Sequence, residues 1–267
     1  MAAPVHIQSR DNALLMRVRR LAQDTSAYRK VGQVWLEGDH LCRALLARGG
    51  VPLQALVSAT GWQDNGVHDL AQAAPRIAVV PDALFAAIST LESPARLGFL
   101  AAVPGATAPH AVLADRPSVI LDRLQDAGNV GSMLRSAAAF GFGQVLALKG
   151  TAALWSPKVL RSAMGAHFAL RLVEGLEVDD LAALQLPLLA TSSHHGLNLA
   201  QARLPWPCAW VFGHEGQGVS SELLAAARLQ LRIHQPGGEE SLNVGAAAAV
   251  CLYESARQRP GPALEPQ

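Results

Sequence analysis

From residue 112 onward the chain alternates short apolar runs with helical patterns, and this rhythm constrains the fold more than any other feature. Runs at Ser118–Leu121, Gln144–Leu148, Ala169–Val173, Leu188–Thr191, Ala209–Gly213 and Leu229–His234 read as strands. Helical patterns fall between them at Val130–Phe140, Lys158–Met164, Val178–Leu184 and Ser221–Ala227, with a last one over Leu242–Arg257. Strands that alternate with helices predict an α/β fold, a mostly parallel sheet covered on both faces. Ligands of such sheets lie outside the carboxyl ends of the strands, so the loops that follow strands are where chemistry is sought.

The first 103 residues carry a looser version of the same pattern. A helix is expected over Asp11–Gln23, an extended stretch at Gln33–Leu36, and a second helix over Asp39–Ala47 that stops at Gly49-Gly50. Apolar runs at Leu53–Val57, Ile77–Val80 and Leu97–Val103 read as strands, with helical patterns starting at Val67 and Asp82. The segment Pro104-Gly105-Ala106-Thr107-Ala108-Pro109 reads as a linker. The expected organisation is therefore a small α/β domain over 1–103, a linker over 104–111, a larger domain over 112–258 and a disordered tail over 259–267.

Composition removes several alternatives. No apolar run reaches the roughly 18–20 residues of a membrane span; the longest, Leu242–Tyr253, carries Asn243. The first residues, with Pro4, His6, Arg10 and Asp11, do not resemble a signal peptide. Cys42, Cys208 and Cys251 are odd in number and far apart, which suggests neither disulfides nor a CxxC site. His194-His195 has no carboxylate or cysteine at metal spacing, so two polar loop residues are the expected reading and no metal is expected. A soluble cytoplasmic protein is the expectation.

A net charge of +1 argues against generalised polyanion binding. The balance is uneven, however. Residues 1–50 hold eight basic groups against four acidic, and 111–170 six against three, whereas 171–267 hold six against ten. Arg17, Arg20, Arg29, Lys30 and Arg161 fall in the basic windows, where the alternative is a solvated helix face.

Three glycine-bearing loops follow strands. Asp126-Ala127-Gly128-Asn129-Val130-Gly131-Ser132-Met133-Leu134-Arg135 runs into a helix, with Asn129 placed beyond its first turn. Free N–H groups at a helix start together with an arginine suit phosphate, although an N-capped helix with a surface arginine fits the loop equally well. Gly213-His214-Glu215-Gly216-Gln217-Gly218 has glycine where a backbone must turn sharply or approach a ligand. Its spacing is neither that of the dinucleotide fingerprint nor that of a zincin, and it could be an ordinary strand-to-helix turn. Pro236-Gly237-Gly238-Glu239-Glu240-Ser241-Leu242-Asn243-Val244-Gly245 opens the alanine-rich last helix, which Ser241 or Asn243 could cap. The chain contains no G-x-S-x-G elbow and no P-loop.

Together and in this order, the three loops resemble the motifs of the SpoU/TrmH family of S-adenosylmethionine-dependent RNA ribose 2′-O-methyltransferases, in the SPOUT superfamily. Ser156-Pro157-Lys158-Val159 and Arg161-Ser162-Ala163-Met164-Gly165-Ala166 are similar to the family as well. Ser26-Ala27-Tyr28-Arg29-Lys30 followed by Leu36-Glu37-Gly38 resembles the substrate-binding domain of some members, a small α/β fold similar to a ribosomal protein. The resemblance implies a catalytic domain closed by a deep C-terminal trefoil knot, a rare exception to unknotted chains. It implies a homodimer through that domain, with structured RNA as partner, ribosomal in preference to transfer RNA. Arg135, Asn129, Glu215 and Asn243 would be catalytic. Thr191, Ser192, Gly213, Gly218, Ile233, Ser241 and Leu242 would hold the cofactor, and Arg17, Arg20, Arg29, Lys30 and Arg161 would bind RNA. A non-catalytic RNA-binding or ribosome-assembly factor of the same fold is the alternative from another class.

Departures from the family pattern carry expectations of their own. Ala127 replaces a common proline. His214 stands at the usual asparagine, which places a titratable ring beside Glu215 and predicts activity that depends on pH near about 6–7. His234-Gln235-Pro236 replaces the usual Pro-Met pair after Ile233 and alters the adenine pocket.

Overall fold

The computed structural model describes residues 3–104, 112–192, 195–237 and 241–259. Its elements, in chain order, begin with β1 (Val5–His6), α1 (Ala13–Gln23), α2 (Ala27–Val31), β2 (Gln33–Glu37), α3 (Asp39–Ala47) and β3 (Gln54–Ser58). They continue with α4 (Ala59–Trp62), α5 (Asn65–Ala71), β4 (Ile77–Val80), α6 (Asp82–Ala86), β5 (Leu97–Ala102), β6 (Ser118–Asp122) and α7 (Ala127–Ala139). The remainder is β7 (Gln144–Leu148), α8 (Pro157–Ala163), β8 (Arg171–Leu176), β9 (Leu188–Thr191), β10 (Leu197–Asn198), β11 (Ala209–Gly213), α9 (Ser221–Ala226), β12 (Leu229–Arg232) and α10 (Val244–Gln258).

The chain divides into two compact units, and the division differs from the expected one. Unit 1 holds residues 1–109 together with 155–168; unit 2 holds 110–154 and 169–267. Segment 155–168, expected in the larger domain, groups with unit 1 because of what α8 buries. Val159, Leu160 and Ala163 are buried, Arg161 Nη1 donates to Thr90 Oγ1 at 2.6 Å, and His40 Nε2 meets the Met164 carbonyl at 3.3 Å. A Cβ on Gly165 would come within 2.4 Å of Ala44 Cβ, a measure of how closely this segment packs on α3.

Unit 1 is built on a mixed five-stranded sheet ordered β1-β4-β3-β5-β2, in which β5 runs antiparallel to β2 and β3. Its helices are amphipathic, and α1 buries Leu15, Val18, Leu21 and Ala22 on one face while Arg17 and Arg20 stay exposed.

Unit 2 is a seven-stranded sheet, β10-β12-β9-β11-β6-β7-β8, in which every pairing is parallel. Strands β6, β7 and β11 are buried at all five positions, as expected of strands covered on both faces. The last helix is tied to the sheet by Trp210 Nε1, which donates to Ser255 Oγ at 2.8 Å in the interior.

Several boundaries move for physical reasons. Helix α7 starts at Ala127 because Asp126 accepts the Asn129 N–H at 2.8 Å and caps it, so Asn129 lies inside the first turn and not beyond it. Left-handed Met164 and Gly165 end α8 and lead into a 3-10 turn over Ala166–Ala169, so the strand expected from Ala169 begins at Arg171. Val178–Ala183 is a 3-10 helix with a reciprocal Glu177–Asp180 cap, the tighter helix suited to a short connector. Arg259, expected in the tail, lies with its guanidinium 4.9 Å from the Trp206 ring. Most of the expected linker (105–111) and tail (260–267) lies outside the described residues, as does His194. Among the described residues no helix is long and apolar enough to cross a membrane.

Candidate active site

Parallel strands deliver all their carboxyl ends to one side, and four of these ends build the site. In β11 and β6 Gly213 is in register with Asp122, and in β9 and β12 Thr191 is in register with Leu231. The loops that leave β9, β11 and β12, together with the start of α10, enclose a cavity of about 600 Å³, within the size range of small-molecule sites. Thr191, Ser192, Gly213, Gly218, Ile233, Ser241 and Leu242, the seven residues predicted to hold a cofactor, all line it. Glu215 and Asn243 line it as well, with apolar walls from Val219, Leu224, Leu231, Val244 and Ala247.

The loop after β11 folds back over its own strand. Gly218 N donates to the His214 carbonyl at 2.8 Å, and Gly218 turns at φ +71°. Gly218–Val219 then pass so close to Gly213 that a Cβ there would sit 2.1 Å from backbone atoms. His214 Nδ1 accepts the N–H of Gly216 at 3.0 Å and of Gln217 at 3.3 Å. An asparagine oxygen makes the same pair of contacts to residues two and three ahead, as Asn243 does to Gly245 and Ala246 in this chain. The histidine thus reproduces the turn chemistry of the asparagine that the resemblance led us to expect.

Glu215 joins the three loops. Its Oε2 accepts from Gln125 N at 3.2 Å, and its Oε1 from Asp126 N at 3.1 Å and Asn129 Nδ2 at 3.2 Å. Asn129 Oδ1 in turn accepts from Asn243 Nδ2 at 3.0 Å. An ionised carboxylate can only accept, so the charge on Glu215 sets the orientation of both amides. Asn129 must turn its nitrogen to Glu215 and its oxygen to Asn243, which frees the Asn243 oxygen to cap α10. Partial burial by itself would raise the Glu215 pKa. The N–H groups of Glu215 itself, Asp126 and Gln125, with the Asn129 amide, outweigh it and hold the carboxyl below its usual range. The network is therefore intact at neutral pH and fails only as acid protonates Glu215, below the ordinary carboxylate range.

Arg135 stands apart from this network. It lies on the exposed side of α7 in its third turn, is not among the cavity residues, and has no hydrogen-bond or ion-pair partner among the described residues. Arg17, Arg20, Arg29 and Lys30 are exposed in unit 1, where Arg29 also packs its guanidinium 5.5 Å from the Tyr28 ring. Arg161 is exposed but already engaged with Thr90.

Sequence reasoning gave no role to Asp122, Arg123 or Ser220. Asp122 is 1% exposed and accepts from Ser220 N at 2.7 Å and from Arg123 Nε at 2.7 Å. The available signal was an aspartate that ends an apolar strand directly before a motif loop.

The SpoU rRNA Methylase family model matches residues 116–253. A tRNA/rRNA methyltransferase of Synechocystis, itself named as uncharacterised, is 32% identical over 262 residues, 95% of this chain and 94% of that protein. The chain belongs to the SpoU rRNA methylase family. The SpoU match contains Asn129, Arg135, Glu215, Asn243 and all seven cavity residues predicted for the cofactor, but none of the basic residues of α1 and α2. Another SpoU relative, the 23S rRNA (guanosine(2553)-2′-O)-methyltransferase RlmP of Bacillus subtilis, is 29% identical over 84% of this chain and 88% of that protein. Among solved structures, an RNA 2′-O ribose methyltransferase superposes with a TM-score of 0.79 at 31% identity, covering 95% of this chain and 99% of that one.

Proposed function

We propose that this SpoU-family chain transfers a methyl group from S-adenosylmethionine to a ribose 2′-hydroxyl of ribosomal RNA. The observation that carries the reading is the Glu215–Asn129–Asn243 network, which ties all three motif loops together beside the cavity. Names of relatives support it, because RlmP is named as a 23S rRNA 2′-O-methyltransferase.

The cavity suits the cofactor chemically. A Cβ at Gly218 would meet no protein atom within 4 Å, so the bare glycine leaves space open to the cavity. Leu231, Ile233 and Leu242 offer apolar surface for a purine, and Gln235 brings an amide whose buried Oε1 has no hydrogen-bond partner among the described residues. Thr191, Ser192, Gly213, Gly218, Ile233, Ser241 and Leu242 would hold the cofactor, which supplies a methyl group already activated on a sulfonium. Little covalent help is then needed from the protein. Its task is to align the ribose oxygen with the methyl carbon and to accommodate the departing hydroxyl proton. Asn129 and Asn243, locked by Glu215, would orient the ribose. Arg135 would anchor a phosphate, because a guanidinium with a pKa above about 12 is a poor base but a good bidentate partner.

We further infer that Arg17, Arg20, Arg29 and Lys30 contact RNA in a substrate-binding domain similar to a ribosomal protein, with Arg161 adding less because Thr90 already holds it. The trefoil knot and the homodimer belong to the same reading. The sheet order supports the knot, since late β12 lies between β9 and β10. Exposed Val250 and Tyr253 on α10, the latter edge-on to Phe140, support the dimer face.

The deciding experiment is labelled-methyl transfer onto ribosomal and transfer RNA from a strain lacking the protein, followed by mapping of 2′-O-methyl positions. One ribosomal site is expected; label in transfer RNA alone would move the substrate, and label in neither pool would favour a non-catalytic RNA-binding factor.

The His214 contacts give a separate expectation. His214→Asn should bind S-adenosylmethionine within about twofold of the parent, while His214→Ala, which loses two loop bonds of about 1 kcal/mol each, should bind at least roughly fivefold more weakly. Calorimetry on the two variants checks this, and equal loss in both would show that the imidazole has a role beyond the turn.

A further inference from the structure

A costly arrangement lies just outside the cavity, at the end of β6. Asp122 is buried, and burying a carboxylate is unfavourable unless donors surround it. The next residue, Arg123, is held at φ +61°, a left-handed conformation that costs a non-glycine residue about 1–2 kcal/mol. Two such costs at adjacent positions call for something that the arrangement secures.

What it secures is the loop after β11. Arg123 grips Asp122 with Nε at 2.7 Å and Nη2 at 3.3 Å, and its remaining arm, Nη1, donates to Gln217 Oε1 at 3.1 Å. Asp122 also accepts the Ser220 N–H at 2.7 Å. The loop is thus fixed at Gly213 by the strand register, at Gln217 by Arg123 and at Ser220 by Asp122. The arginine stem is seated too, because a Cβ on Gly150 would come within 3.3 Å of Arg123 Cγ. Neither Asp122 nor Arg123 is among the cavity residues, whereas His214 through Val219 form one of its walls.

We propose that Asp122 and Arg123 are positioning residues for the cofactor, a clamp that holds the Gly213–Ser220 loop in its binding shape by way of Gln217 and Ser220. The inference rests on the reading that this cavity takes S-adenosylmethionine. The clamp acts before any RNA is present, so its effect falls on cofactor affinity and on KM for the cofactor, with kcat at saturation nearly unchanged.

The test uses the full chain and S-adenosylhomocysteine as the calorimetric probe. Arg123→Lys keeps a cation beside Asp122 and the same backbone demand but has no second arm for Gln217. Gln217→Ala removes the other end of that link without disturbing the buried carboxylate. Each is expected to weaken binding about five- to tenfold, the worth of one ordinary solvent-exposed hydrogen bond. The double variant should be no weaker than the weaker single variant, because both remove one link. Hydrogen exchange of the Gly216–Ser220 amides should quicken in all three, with the melting midpoint of the parent retained. Asp122→Asn should lose affinity and stability together, so the Arg123 and Gln217 pair decides. Binding by the parent but unchanged affinity in Arg123→Lys, or losses that multiply in the double variant, would overturn the clamp. Absence of binding by the parent protein would instead overturn the cofactor reading on which it rests.

Discussion

Replacing Arg135 with alanine is expected to lower methyl transfer at least about a hundredfold, roughly 3 kcal/mol of transition-state stabilisation, while cofactor affinity stays within about twofold. The separation follows from where the side chain sits. Six residues along α7 from Asn129 amount to about 9 Å of rise and a turn to another face of the helix. Arg135 therefore cannot share in the amide network, and its exposed guanidinium is free of partners among the described residues. A group so placed contributes nothing to the cavity wall, so its loss should leave the cofactor where it was. What it can do is meet a charged group that arrives with the RNA. Arg135→Lys distinguishes the two roles it could play there. A phosphate anchor keeps its charge in lysine and loses only the bidentate geometry, so activity should be intermediate and the pH profile of single-turnover transfer unchanged. A shift of that profile by lysine would make Arg135 a proton acceptor, and normal turnover in Arg135→Ala would remove it from the chemistry altogether.

Much of the fold is legible because the parallel sheet writes itself into the sequence as short, wholly apolar runs. Gln144–Leu148, Leu188–Thr191, Ala209–Gly213 and Ile77–Val80 have the expected bounds, since each is flanked by turn residues that break the pattern. Elements too short to show a period were invisible: β1 and β10 have two residues each and exist only through their partners β4 and β12. The division into units was hidden for a related reason. Helix α8 looks like part of the α/β rhythm, and only the contacts of Arg161, Met164 and Gly165 show where it packs.

The site shows the same contrast. Glu215, Asn129 and Asn243 were legible as residue types on loops that follow strands, and the structure brings them into one hydrogen-bonded chain. The direction of that chain was not legible, because it depends on which carboxylate is ionised and which amide end faces it. Asp122 is not legible as a site residue because an acidic residue at a strand end ordinarily faces water. Here Arg123 and Ser220 supply the donors that let it be buried.

Gly213→Ala is expected to cost the most stability of any single methyl group added to the cofactor loop. Three glycines of this loop are glycine for different reasons, and the comparison makes the expectation sharp. At Gly213 a Cβ would lie 2.1 Å from the Gly218 carbonyl carbon and from Val219 N, and neither is the end of a flexible side chain. The backbone crossing must open, at a cost of about 3 kcal/mol, which for a unit of this size is a drop of roughly 6–12 °C in melting midpoint. Opening the crossing moves Gly218 away from the His214 carbonyl and displaces a cavity wall, so cofactor binding should fall with stability. At Gly218 a Cβ meets nothing within 4 Å, but φ of +71° makes alanine strained by about 1–2 kcal/mol, so binding should fall less. At Gly216 a Cβ would make ordinary contact with the His214 ring at 3.9 Å, with no left-handed φ, and alanine should be tolerated. The expected order of cofactor affinity is therefore Gly216→Ala near the parent, Gly218→Ala below it and Gly213→Ala lowest, measured by calorimetry beside thermal melts. If Gly213→Ala bound and melted like the parent, the close crossing of the loop over β11 would not exist in solution, and the cavity wall built on it would have to be redrawn.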